Sequence, residues 1–140
     1  MKEYHDGESY LLRFDRGEEF VGELLTWARK RKLEGAALTG LGAVEDPKLG
    51  YFDAVKKNYI NKDFEGEYEI ATLTGNLGWD DETGDPIAHI HAVLSGPNFL
   101  AFGGHLCSAT VSGTVEISVV PVKTMLVRRF KESLNLKLLD

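Results

Sequence analysis

Phe20, Leu24, Trp27 and Ala28 recur three to four residues apart, with Val21 and Leu25 beside them. That spacing lines apolar side chains along one helix face and predicts a helix over about residues 17–33. Its start is marked by Asp15, a residue of N-cap type three positions before Glu18, close to the capping-box pattern. Its end is marked by Gly35, which suits a C-terminal cap, and by Arg29-Lys30-Arg31-Lys32, whose cations complement the negative end of the helix dipole.

Elsewhere the pattern is that of strands. Tyr10 to Phe14 reads as a first strand. Ala36 to Val44, small and apolar, leads to a turn at Asp46-Pro47 and a returning strand from Leu49 to Val55, while Lys56 to Asp63 is polar and reads as a loop or ragged edge. Glu67 to Leu77 alternates apolar and polar, as expected of a strand with one side buried. Trp79 to Pro86 is an acidic loop that leads into Ile87 to Leu94. Val111 to Val122 is β-branched, interrupted by Gly113, and predicts a core strand that starts after a turn. Leu126 to Phe130 and Leu134 to Leu139 finish the chain as shorter strands or an irregular tail. One helix among many strands with hairpin-length connections predicts an α+β fold with a largely antiparallel sheet, not a doubly wound nucleotide fold.

Composition narrows the class. At 140 residues a single domain spanning 1–140 is expected, and 43% hydrophobic with 27% charged residues is ordinary for a soluble globular chain. There is no internal repeat, no apolar run long enough for a membrane span and no secretory or targeting segment at the start, so the expected location is cytoplasmic. A lone Cys107 makes no intramolecular disulfide. The net charge of −6 repels polyanions on average and weighs against nucleic-acid binding. The Arg29–Lys32 run reads better as a solvated helix end than as a phosphate contact, and Lys56, Lys57 and Lys62 form a second, weaker cluster.

The candidate chemistry lies between Ile87 and Cys107, which holds three of the four histidines. In an extended strand His89 and His91 point the same way from Cα atoms about 6.5–7 Å apart. The turn signal Ser95-Gly96-Pro97-Asn98 predicts that Phe99 to Cys107 folds back, bringing His105 to the same face if the loop holds an odd number of residues. With three or five, His105 falls opposite His89 and Gly103 opposite His91; an even loop needs a bulge at Gly103-Gly104. Three neutral imidazoles suit Zn²⁺, with nickel, copper or iron also possible. Such a site leaves a fourth position for water or substrate and can lower that water's pKa toward ~7. Glu82, Asp85 and Asp81 are candidates for a general base or a hydrogen-bond acceptor behind the ligands. Cys107 is either a fourth ligand or a small buried hydrophobe, the second being favoured. His5 reads as a surface residue. The bland alternative for the other histidines is two hydrogen-bonded imidazoles with His105 unrelated.

From Tyr10 to Leu139 the chain resembles the plants-and-prokaryotes conserved (PPC) domain, which in plants accompanies AT-hook DNA-binding motifs. The segments that carry this are Ala37-Leu38-Thr39-Gly40-Leu41-Gly42-Ala43-Val44, Gly66 to Ile70 with Leu73 to Leu77, the His-x-His with Gly-Gly-His, and Arg128-Arg129-Phe130 before Leu134-Asn135-Leu136. The resemblance implies a homotrimer and, at positions matching His89, His91 and His105, a bound metal. Gly66 to Ile70 matches a plant segment linked to protein interaction, which implies a partner or subunit contact there. Plant members carry an Arg-Gly-Arg-Pro core outside this domain, and the chain has none; DNA binding therefore transfers poorly. Three roles follow as expectations: a metal-binding domain with a regulatory or DNA-associated role, a metal-dependent hydrolase or lyase acting on a small molecule through a metal-bound water, or a scaffold that the metal stabilises.

Overall fold

The computed structural model describes residues 1–140. Alternating apolar residues form nine strands around one helix: β1 (Lys2–His5), β2 (Tyr10–Asp15), α1 (Phe20–Arg31), β3 (Ala36–Asp53), β4 (Asn58–Asp63), β5 (Glu67–Asp80), β6 (Pro86–Ser95), β7 (Ala101–Pro121), β8 (Val127–Lys131) and β9 (Leu136–Leu139). The fold is α+β and almost wholly antiparallel, with one parallel contact where Trp79 and Asp80 of β5 meet Val127 and Arg128 of β8.

The strands follow the order β1-β2-β7-β3-β5-β8-β9, with β4 on β3 and β6 bridging β5 and β7. Because β3 pairs with both β5 and β7, and β6 also pairs with both, these four strands close a circuit around the core. Leu38, Val44, Leu73, Leu77, Ile90, Leu94, Leu106 and Ile117 are buried in that core. The helix covers it with Phe20, Val21, Leu24, Trp27 and Ala28, so the periodic face read in the sequence is the buried one. Each large side chain buried there contributes about 1.5–3 kcal/mol relative to exposure.

The helix is shorter than expected. The Asp15 and Glu18 pair does form, with the Asp15 N–H donating to the Glu18 carboxylate at 2.8 Å, but it closes the turn after β2. The true N-cap is Glu19, whose carboxylate accepts from the Val21 and Gly22 amides at 3.2 and 2.8 Å. At the other end the cap is Lys32, in the left-handed region at φ 54°, and not Gly35. Gly35 is needed for packing, since a Cβ there would lie 2.4 Å from Leu126 Cγ.

Two expected turns are absent. Asp46-Pro47 does not reverse the chain: β3 runs straight through it as a bulge against β7. Pro47 has no N–H to lose from a ladder, and the bulge is held by Phe64 N–H to the Pro47 carbonyl (3.0 Å) and Gly66 N–H to the Asp46 carboxylate (2.8 Å). The stretch expected as a loop, Lys56–Asp63, supplies β4, paired with Lys48–Asp53 as a hairpin. Similarly, Val111 does not begin a strand, because β7 continues from Ala101 to Pro121 with an irregularity beside Gly113. Also unforeseen was β1, which pairs with β2.

Candidate metal centre

The site grows from β6 and β7. Five residues separate the paired ends Ser95 and Ala101, so the loop is odd and His105 shares a face with His89 and His91. The exact pairing is shifted from the expectation by two residues along β6. His105 lies opposite His91, and Gly103 lies opposite Val93. His89 therefore sits diagonally from His105, opposite Asn76 of β5.

The three imidazoles converge nonetheless. Ring centroids are separated by 5.1 Å (His89 and His91), 5.4 Å (His89 and His105) and 5.8 Å (His91 and His105). One ring nitrogen from each lies within 4.8 Å of the others. A tetrahedral zinc ion at about 2.0–2.1 Å from each ligand needs nitrogens roughly 3.4 Å apart, a distance that ring rotation supplies. His91 is exposed and the other two are half-buried, so the cluster opens to solvent on one side.

Electrostatics favours ligand chemistry. Burial, then the neighbouring His89 and His91 and the Arg128 charge, pushes His105 down to about 4. Burial, with Arg128 and His91, also lowers His89. These two imidazoles are thus neutral at pH 7, the form that donates a lone pair to a metal. The Nδ1 of His105 is buried without a hydrogen-bond partner. An orphaned buried nitrogen on an imidazole that packs against two others is costly unless something completes it, and a late first-row cation fits this donor set.

Other sequence candidates fall elsewhere. Asp85 pairs with Arg29 at 2.5 Å, Glu82 with Lys137 at 3.0 Å and Asp81 with Arg129 at 3.4 Å, so the acidic loop is tied into surface ion pairs instead of backing the histidines. Cys107 lies outside the ligand cluster. Burial raises its thiol pKa, and its sulfur sits 3.8 Å from the Asn61 side-chain oxygen, the residue itself being only partly buried. The basic run is partly neutralised, with Arg29 on Asp85 and Arg31 on Glu3. His5 is exposed and stacks on Tyr10 at 4.2 Å.

Three residues around the site were missed. Tyr59, in the stretch read as a loop, packs 5.2 Å from the His105 ring, and burial raises its phenol pKa. Asn76 lies across from His89, and Arg128 donates to its side-chain oxygen at 2.6 Å. Asn76 is an ordinary polar position in the alternation of Glu67 to Leu77, and Arg128 had only its place beside Val127, so neither carried a signal.

Fold and site together define a small α+β domain in which a closed antiparallel circuit presents three clustered histidines. The chain belongs to the Plants and Prokaryotes Conserved (PCC) domain family, whose model matches residues 1–123. Among solved structures it is similar to a metal-containing protein from Archaeoglobus fulgidus, at 34% identity over 99% of both chains with a TM-score of 0.87. It is also similar to a plant- and prokaryote-conserved protein from Pyrococcus horikoshii, at 32% identity over 96% of this chain and 92% of that one, again with a TM-score of 0.87. A protein from Bacteroides thetaiotaomicron, provisionally described as DNA-binding, matches at 25% identity over 99% of this chain and 96% of that one, with a TM-score of 0.92. No curated protein matches the chain significantly. No helix is long and apolar enough to cross a membrane.

Proposed function

We propose that residues 1–140 form a single metal-binding PCC domain in which His89, His91 and His105 hold one ion, zinc by preference. The observation that carries this reading is the convergence of three ring nitrogens within 4.8 Å, one imidazole having a buried, partnerless Nδ1. The metal-containing relative at 34% identity supports it. Bound there, the ion would supply Lewis-acid chemistry at an open fourth position. The chain's own residues hold two of the three ligands neutral, shield one side with Tyr59 and leave the His91 side open to a small molecule. This arrangement supports a hydrolase or lyase acting on a small molecule.

A DNA-associated role is the second reading, supported by the description of the Bacteroides relative. A cytoplasmic homotrimer is the expected setting. Its assembly is supported by the Gly66–Glu69 segment, which with Phe99 lines an open cavity of about 630 Å³ beside a Phe99 ring that is 88% exposed.

Elemental analysis of protein purified without chelator or affinity tag is expected to find close to one transition ion per chain. Replacing His89, His91 and His105 by Ala is expected to remove it, and light scattering of the same preparation should give three times the chain mass. Persistent absence of metal sinks the metal assignment, and a monomer mass sinks the trimer.

A further inference from the structure

Arg128 is 5% exposed, yet no carboxylate pairs with it. Its contacts are neutral: the Asn76 side-chain oxygen at 2.6 Å and, at the limit of a hydrogen bond, the Lys137 carbonyl at 3.5 Å. Its Nε is buried without any partner. By contrast Arg13, Arg29, Arg31 and Arg129, all more exposed, each have an acid. Burying a guanidinium without a counter-charge is expensive, and leaving one of its N–H groups unpaired adds to the cost.

The position of this charge is informative. Asn76, which receives its shortest hydrogen bond, lies directly opposite His89 in the β5 and β6 ladder. Its field reaches His89, His105 and Tyr59. The side chains across from the cluster, Asn76, Thr74 and Tyr59, are not acidic; Asp63, whose charge reaches Cys107, is paired with Lys48, and Asp80, beside Arg128 in the ladder, is paired with Lys137. The Asp81, Glu82 and Asp85 carboxylates are occupied by Arg129, Lys137 and Arg29. The histidine face thus carries a buried cation with no carboxylate of its own, and a bound metal ion would deepen that excess.

Resting on the metal reading above, we propose that Arg128 makes the three-histidine centre a carboxylate-binding site, its guanidinium anchoring from the His89 side, where Asn76 holds it, a small carboxylate that reaches the metal. A planar carboxylate matches the guanidinium fork, and charge-assisted hydrogen bonds are about twice as strong as neutral ones. The substrate class of the centre is therefore small carboxylic acids, with the neutral amide of the same shape excluded by its missing charge.

The test uses the full chain loaded with Co²⁺ and titrated with acetate and, separately, acetamide, followed by the visible absorption of the metal. Metal retention is measured first. The expected result is a saturable spectral change with acetate and none with acetamide. In Arg128→Met, loaded with Co²⁺ to the same level, acetate is expected to bind at least about tenfold more weakly, with Arg128→Lys in between. An equal response to acetamide, or undiminished acetate binding in Arg128→Met, overturns the carboxylate inference and leaves the metal reading standing. A wild-type chain that holds no Co²⁺ overturns both. If Arg128→Met fails to fold, Arg128→Lys takes its place, and undiminished acetate binding in that variant overturns the carboxylate inference.

Discussion

At the scale of single residues, parity along β6 and β7 brings the three histidines together. His89 and His91 share a face in any extended strand, and an odd loop brings His105 to join them. What alternation could not supply was which odd register, because three- and five-residue loops preserve the face equally and several ladders put His105 within reach. Tyr59 and Arg128 were illegible for a different reason: they arrive from strands distant in sequence. The burial of His105 has a pH consequence of definite sign. Its ordinary value is 6.5 and its folded value about 4, so between these the unfolded chain binds a proton that the folded chain refuses. Stability from this group is present above about 6.5 and is lost as pH falls toward 4. His89, also lowered, acts in the same direction. In chelator, the melting temperature of the wild-type chain should drop more steeply from pH 7 to pH 4 than that of His105→Asn. The carboxylates titrate in both proteins, so the difference in slope isolates the imidazole; parallel curves would refute its burial as a neutral group.

At the scale of elements, the helix and most strands were readable from periodicity, while the two longest strands were each read as two, β3 divided at Asp46-Pro47 and β7 before Val111. Asp46-Pro47 and Gly113 have the chemistry of turns, yet here they sit in or beside bulges, which bend a strand without reversing it. Local composition does not distinguish the two; partners across the sheet do. Glycine shows the same dependence on context. At Gly75 a Cβ would lie 2.2 Å from the His89 carbonyl oxygen and 2.9 Å from Ile90 Cα, backbone atoms that cannot swing aside. Gly75→Ala should therefore push β6 away from β5, cost about 1–3 kcal/mol in urea denaturation and weaken metal retention through His89. Gly113→Ala meets only the Ala43 Cβ at 3.6 Å and should stay within about 0.5 kcal/mol of wild type. If both variants behave alike, the close approach at Gly75 is not what sets the position of β6.

At the scale of the whole molecule, charge decides between partners. The net charge is −6, and two cations of the basic helix end are already held by Asp85 and Glu3. Phosphate neutralisation supplies most non-specific DNA affinity, and each contact steepens its dependence on salt. The chain should show no appreciable retention of duplex DNA at about 150 mM salt in a filter-binding titration. Tight, strongly salt-dependent binding that disappears when Arg29, Lys30, Arg31 and Lys32 are changed to Gln would instead establish the DNA-associated role.

The closed circuit also fixes an order of events during synthesis. Strand β2 ends at Asp15, but its partner segment on β7 spans Thr114–Val119, about a hundred residues later. A chain growing from its N-terminus carries β2 and the apolar face of α1 without their main partners until most of the protein has left the ribosome. Such long-range pairing slows folding and lengthens the time an unpaired edge is exposed. The last long strand is thus the keystone that docks the helix, fastens the N-terminal hairpin and delivers His105 to the other two histidines, so the core and the site are completed together.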